Sequence, residues 1–141
     1  MKIVVLEDIA EALEATFDEW EQFLNTETGE IVSLPNDSAF MDEELEELAE
    51  EIDSSDAYVR LPNQYDLHEY KIMERFAEAS PDERKSEALL YALHGRKPYR
   101  HFKDRINDFG IADEYYAFRL LAFCDIAKEW CEENEIPYRS K

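Results

Sequence analysis

A basic segment interrupts an otherwise acidic chain at residues 96–105. Five of its ten residues are Lys or Arg, including Arg96, Lys97, Arg100 and Lys103. On a helix, Arg100 and Lys103 would share one face. Roughly opposite them would lie an apolar stripe made of Tyr99, Phe102, Ile106 and Phe109.

Three interpretations of the basic segment stay open. It could be a solvated helix face, partly neutralised by the acidic residues of the same chain. It could be a dock for an acidic protein or a phosphorylated ligand, because guanidinium groups match carboxylate and phosphate geometry. It could also contact nucleic acid, although the acidic residues would weaken the long-range attraction.

Arg119 occupies an unusual position in the last predicted helix. At about 100° per residue it falls in line with Tyr115, Phe123 and Trp130, nearly opposite Asp125. The neighbours Phe118, Leu120 and Leu121 are apolar too, which predicts that this half of the helix is central. A cation there must pair with an acidic group or carbonyls, reach the edge of the protein, or bind a ligand in a pocket.

A run of ten acidic residues lies between Asp37 and Asp56. It fits a solvated face, a recognition surface for a basic partner, a mimic of nucleic-acid charge, or a site for divalent cations. Its spacing does not match the calcium-binding loop Dx[DN]x[DN]G.

Signatures of an enzyme are scarce. His68, His94 and His101 fall on different predicted elements, and none has a Cys or His at metal-ligand spacing. The chain contains no GxSxG, no HExxH and no phosphate-binding loop. We therefore expect no catalytic residue, no metal and no cofactor.

Periodicity predicts a helix-dominant α+β fold, with an N-terminal helix, a small antiparallel sheet and a C-terminal helical cluster covering one face of the sheet. The first helix would bury Leu6, Ile9, Ala10, Leu13 and Phe17. A hairpin over 20–35 would turn at Gly29, and a third strand would end at Pro62. A surface helix over 42–52 separates them.

Four further helices follow in the prediction. The first begins with a capping box of Asp66 and Glu69. The second begins at Ser80 and Pro81 and stops at Gly95. The third carries the apolar stripe of the basic segment, and the last runs over 113–134.

The acidic charge is concentrated at the front of a chain expected to form one domain over 1–141, divided into an acidic helix and sheet (1–61) and a helical part (62–141). The formal net charge is -20 over 141 residues. Residues 1–57 hold 19 acidic residues and one basic residue, whereas residues 96–141 hold nine of each.

The same composition suggests a reduced compartment and no membrane. The first apolar run, Ile3 to Leu6, is shorter than the seven or so residues that a signal peptide needs. Cys124 and Cys131 would lie roughly 10 Å apart along one helix, beyond the ~7 Å limit for a disulfide. We expect two reduced thiols in a cytoplasmic protein that does not enter a membrane.

Three stretches carry a family resemblance. They are Glu27-Thr28-Gly29-Glu30-Ile31-Val32 in the hairpin, 61–66 with 70–76, and 102–104 with 109–111 and 130–134. In this order they resemble a widespread bacterial family of small acidic proteins that carries an uncharacterised-protein-family (UPF) designation. The resemblance implies a bacterial cytosolic protein, and it brings no activity, catalytic residue or cofactor.

We therefore expect a non-enzymatic protein that acts through contacts with an unknown protein partner. The alternatives are a pocket or small enzyme that binds an anionic molecule around Arg119, aided by Arg60 or Tyr99, and a nucleic-acid contact through the basic segment. The apolar, tyrosine-rich last helix leaves room for a homodimer.

The net charge predicts a salt effect on stability. Self-repulsion opposes folding, and salt screens it. We expect the melting temperature to rise when sodium chloride goes from very low to moderate concentration, as measured by circular dichroism. A flat or falling response would mean that the acidic residues are already neutralised within the protein or by an oligomeric partner.

Overall fold

The three-stranded antiparallel sheet that the sequence predicts is present in the computed structural model, which describes residues 1–15 and 19–141, without the side chains of Ser38, Gln64 and Tyr65. Strand β2 lies in the middle, between β3 and β4. The fold is α+β and helix-dominant, as expected. Phe17, predicted to end the first apolar stripe, lies outside the described residues.

The elements follow one another in this order: β1 (Val4–Val5), α1 (Leu6–Glu14), β2 (Trp20–Asn25), β3 (Ile31–Pro35), a short 3-10 turn (Ser38–Phe40), α2 (Glu43–Ser54), β4 (Tyr58–Arg60), α3 (Gln64–Leu67), α4 (Glu69–Ala79), α5 (Glu83–His94), α6 (Pro98–Asp108), α7 (Ala112–Glu133) and β5 (Tyr138–Arg139). They divide into two compact units. Unit 1 comprises residues 1–67 and 123–141, and unit 2 comprises residues 68–122. The expectation of a single domain stays a prediction.

The hairpin of unit 1 is held by a turn in which Asn25 and Gly29 have complementary roles. The Asn25 side-chain oxygen accepts from the backbone N–H of Glu27 at 2.9 Å. Gly29 takes φ +79 and donates its own N–H to the Asn25 carbonyl at 2.7 Å. Glycine reaches this left-handed conformation without a steric penalty, so the prediction of a tight turn here is confirmed.

Unit 1 also contains a second sheet that the sequence did not predict. β1 and β5 form a parallel pair of two residues each, joining Val4 to Tyr138 and Val5 to Arg139. Strands of two residues are too short to show an alternating pattern of apolar residues, so the sequence pattern could not predict them.

Unit 2 is built around aromatic and aliphatic side chains from α4, α5, α6 and the first half of α7. Its buried core consists of Met73, Ala77, Leu89, Leu93, Phe102, Ile106, Ile111 and Tyr115. Phe76 stands edge-on to Phe102 and Tyr115, with ring centroids 6.3 and 5.3 Å apart. Edge-to-face rings of this kind add to the stabilisation that burial gives. The predicted stripe at Phe102 and Ile106 is therefore confirmed as core.

Two predicted helix starts are wrong. Asp66 caps no long helix, since it lies inside the short α3, and α4 begins after His68, whose φ is +51. Helix α5 is capped by Asp82, which accepts from Arg84 N–H at 2.9 Å. Pro81 therefore precedes the cap instead of opening the helix. At α5 the error arose because Ser80 and Asp82 are both typical capping residues, whereas α4 begins without any side-chain cap that a sequence could reveal.

Helix α7 buries the face that its helical periodicity predicts, but the apolar residues around Arg119 are more exposed than expected. Tyr115, Phe123 and Trp130 are buried, while Asp125 is exposed. Leu121, however, is 68% exposed, so the apolar residues around Arg119 do not enclose it on every side. Cys124 and Cys131 of this helix are free thiols.

None of the helices in the described part of the chain is both long and apolar enough to traverse a bilayer.

Two helices end in the same type of turn but place different residues at its left-handed position. After α6, Gly110 takes φ +67, and Ile111 N–H donates to the Ile106 carbonyl at 2.9 Å. After α7, Glu135 takes φ +57, and an equivalent bond of 2.8 Å closes the turn. An L-residue in this conformation costs roughly 1 kcal/mol, which glycine avoids.

We predict that Glu135→Gly raises the free energy of unfolding by about 1 kcal/mol and that Gly110→Ala lowers it by about 1 kcal/mol. A Cβ on Gly110 would meet no atom within 4 Å, so only backbone strain acts there. Urea unfolding followed by circular dichroism measures both changes. Glu135→Gln is the control, because it removes the charge and keeps the strain. If it stabilises as much as Glu135→Gly, the strain argument is wrong.

Candidate functional site

Arg119 is held inside unit 2 by the carboxylate of Glu69. Its Nη1 lies 3.2 Å from Glu69 Oε1, and the two side chains are only 17% and 27% exposed. The guanidinium also lies over the ring of Tyr116, 4.8 Å from the centroid. A cation on this mostly apolar helix face therefore has both a counter-charge and an aromatic surface, which offset its loss of hydration.

The same carboxylate binds a buried phenol. Tyr115 is fully buried, and its hydroxyl donates to Glu69 Oε1 at 3.1 Å. Burial raises the pKa of Tyr115 well above its ordinary value, and the nearby Glu69 charge raises it further while Arg119 opposes the shift. The phenol thus stays protonated as a donor.

Of the three interpretations of Arg119, a structural ion pair is the one that the structure shows. Arg119 lines none of the three depressions described below. Arg60, which the sequence offered as a helper of Arg119, instead pairs with Glu21, with 3.8 Å between Nη1 and Oε1. Tyr99 instead packs edge-on against Tyr70 at 6.5 Å, and burial is the main cause that raises its pKa.

The basic segment begins in the tight connection between α5 and α6. Lys97 takes φ +48, and its carbonyl accepts from His101 N–H at 3.0 Å. Pro98 then occupies the first turn of α6, where its missing N–H costs nothing. This connection reverses the chain within a few residues, so the end of α5 lies beside the start of α6.

The structure distributes the basic residues over two sides of α6. His101 and Arg105, four residues apart, line the same depression as the last residues of α5. Arg100 is exposed and Lys103 half-buried, and they lie on another side of the helix, roughly 100° or more from His101. The expected shared face of Arg100 and Lys103 is present, but it is not the side that forms a cavity.

A depression of about 470 Å³ lies between α5 and α6, and we call it the basic depression. Its lining is Tyr91, Ala92, His94, Gly95, Arg96, His101 and Arg105. Two arginines, two histidines and a tyrosine therefore line one cavity, and none of the lining residues carries a carboxylate. Such a set of donors suits an anion.

Two other depressions differ in charge. One, of about 300 Å³ in unit 1, places Arg60 among three carboxylates, from Asp66, Glu129 and Glu133. The other, of about 420 Å³ in unit 2, has apolar walls, with Lys85 opposed by Asp82 and Glu114. Of the three, the basic depression alone is lined by cations without an opposing carboxylate.

Sequence reasoning found Arg96 but missed Tyr91, His94 and His101 as members of one site. The two histidines were treated separately because they lie on different helices. The available signal was the turn between them, since Gly95 ends α5 and Pro98 starts α6. Tyr91 is 84% exposed, an unusual place for so large an aromatic residue.

Among the residues that the structure describes, no group of three or more His, Cys, Asp or Glu side chains is arranged to hold a metal ion. The acidic run of 37–56 contains α2, which Asp42 caps by accepting from Leu45 N–H at 2.9 Å. None of the residues of α2 is buried, so the helix lies on the surface as predicted.

A comparison with protein-family models matches all 141 residues to one family, described as an uncharacterised protein family, UPF0158. The chain belongs to UPF0158. No curated protein and no solved structure matches it. The resemblance seen in the sequence is thereby confirmed.

In this UPF0158 chain the net charge follows the division into units. Unit 1 holds 25 acidic and five basic residues, whereas unit 2 holds ten of each. All of the net charge of -20 thus lies on unit 1, and unit 2 is neutral. The basic depression is therefore carried by a unit whose own net charge does not oppose an anion.

We predict that Glu69→Gln lowers the free energy of unfolding by about 2 kcal/mol, because it removes the carboxylate charge that pairs with the mostly buried Arg119. Asp108→Asn is the matched control. It breaks the Arg105–Asp108 pair, whose atoms are 2.8 Å apart but whose side chains are 51% and 59% exposed. We expect it to cost less than about 0.5 kcal/mol.

Chemical denaturation measures both variants. Adding Arg119→Met to Glu69→Gln should recover part of the loss, since the buried guanidinium that had paired with Glu69 is then gone. Equal effects of Glu69→Gln and Asp108→Asn would contradict a structural role for the buried pair.

Proposed function

We propose that this UPF0158 protein is non-enzymatic and acts by binding an acidic protein partner through the basic segment. The proposal rests on which basic residues of the segment pair with an acidic side chain and which do not. Among the described residues, Arg105 is the only basic residue of the segment that pairs with an acidic side chain, that of Asp108. Arg96, Lys97 and Arg100 are exposed and remain available to a partner.

A protein partner fits this surface better than nucleic acid. Binding to a nucleic-acid backbone depends on many phosphate contacts, and the charge of -20 on unit 1 opposes the approach of a long polyanion. A short acidic segment carries far less charge and needs to contact unit 2 alone. Guanidinium groups would bind its carboxylates through paired hydrogen bonds.

The cytoplasm of a bacterium is the compartment that we propose. Two observations support it. The chain has two free thiols, Cys124 and Cys131, and burial raises the pKa of Cys131 to about 11, which keeps it protonated and unreactive. The family resemblance noted in the sequence points to a bacterial source. The formation of a homodimer stays a prediction.

A ligand pocket around Arg119, the alternative function, gains no support, since Arg119 pairs with Glu69, lies over the Tyr116 ring and lines none of the three depressions. The nucleic-acid alternative predicts retention on heparin or DNA at low salt and steep loss with added salt. An absence of retention at low salt would count against it.

Affinity purification from the native host, followed by mass spectrometry, tests the proposed function. We expect the native chain to recover acidic proteins and the double variant Arg100→Glu with Lys103→Glu to lose them. The matched control is Lys71→Glu with Arg75→Glu, which makes the same change of charge at two exposed positions of α4 in the same unit.

The control should recover the same partners as the native chain. If the Arg100→Glu and Lys103→Glu variant also keeps them, or if both variants lose them equally, contact through the basic segment is wrong.

A further inference from the structure

We propose that the basic depression binds a phosphomonoester, supplied by a phosphorylated side chain of the acidic partner. This inference rests on the proposed function but concerns a different set of atoms. The basic segment as a whole would attract the partner, and the depression would select the phosphoryl group.

The lining of the basic depression is rich in hydrogen-bond donors. Arg96 and Arg105 each present a planar fork of N–H donors, which fits two oxygens of a phosphoryl group. His94 and His101 add ring N–H donors, and Tyr91 adds a hydroxyl. A carboxylate could accept from one fork, whereas the three oxygens of a phosphoryl group can accept from several donors at once.

The depression also lacks competing carboxylates. The chain contains 35 acidic residues, yet none of those that the structure describes lines this depression. Asp108, which is not among the lining residues, pairs with Nη1 of Arg105 at 2.8 Å. This single contact leaves the other donors of the guanidinium to a ligand.

The basic depression is large enough for a phosphoryl group and is open to solvent. The depression has about 470 Å³, within the range of clefts that hold small ligands. Tyr91 stands at its side 84% exposed, so a phosphorylated side chain can approach from solvent. The reversal at Lys97, with φ +48, brings Arg96 and His101 toward the end of α5.

Titration of the ¹⁵N-labelled full chain with inorganic phosphate, against sodium chloride at equal ionic strength, is the first experiment. We expect saturable shifts at the backbone amides of Gly95, Arg96 and His101 with phosphate and not with chloride. Shifts that spread over every basic residue, or that do not saturate, would overturn the proposal.

Variants then separate the depression from the rest of the basic segment. Arg96→Gln with Arg105→Gln should weaken phosphate binding about tenfold or more, because two charge-assisted contacts are lost. Arg100→Gln with Lys103→Gln removes the same charge outside the depression and should change it less than about twofold. The reverse order, or equal effects, would contradict the site.

Asp108→Asn tests the site by strengthening phosphate binding instead of weakening it. It frees Arg105 from its carboxylate and should tighten phosphate binding about twofold. Unchanged or weaker binding would mean that Arg105 does not contact the ligand.

The source of the phosphoryl group is resolved by two short peptides, one with phosphoserine between alanines and one with glutamate at the same position. The phosphopeptide should bind more tightly than both inorganic phosphate and the glutamate peptide. If inorganic phosphate binds as well as the phosphopeptide, a free phosphate compound is the ligand and the phosphoprotein assignment fails.

If instead both peptides bind equally and Arg100→Gln with Lys103→Gln weakens both, the proposed acidic partner stands and the phosphoryl selectivity is wrong. If partners are lost in the purification with Arg100→Glu and Lys103→Glu while phosphate still titrates the depression, the two proposals are supported independently.

Discussion

The carboxylate of Glu69 is the constraint on which the interior of unit 2 depends. One oxygen accepts from the Tyr115 hydroxyl at 3.1 Å and from Arg119 Nη1 at 3.2 Å. It lies at the first position of α4, whereas both donors lie on α7, so this single group fixes the start of one helix against another. Without it, the Arg119 guanidinium and the Tyr115 phenol would lose the acceptor that they share, at a cost of about 2 kcal/mol.

This internal pairing also determines which charges remain for the surface. Arg119 and Glu69 neutralise each other, and Arg105 pairs with Asp108. The cations that are left in the basic segment have no such carboxylate within their own unit. Since unit 2 is neutral as a whole, its positive side arises from the placement of charges and not from their number. A local anion site can therefore exist in a protein whose net charge is -20.

The sequence predicted those features that a local pattern encodes. The hairpin, the surface helix and the apolar stripe at Phe102 and Ile106 follow from periodicity and turn residues, and all three are present. Competing signals caused the errors, because Asp82 and Ser80 both looked like caps for α5. His68 and Lys97 could not be foreseen as left-handed residues, since neither is a glycine, the residue that favours this conformation.

The candidate site was only half predictable for a related reason. A count of charges along 96–105 finds the cations, but it weights Arg100 and Arg105 equally. The side of the helix on which each one lies acquires meaning only when α5 packs beside α6 and supplies Tyr91 and His94. The number of cations can be obtained from composition, whereas their convergence depends on a turn of three residues. For that reason the two sets of basic residues have different expected roles, general attraction for one and ligand selection for the other, although the sequence presents them as a single segment.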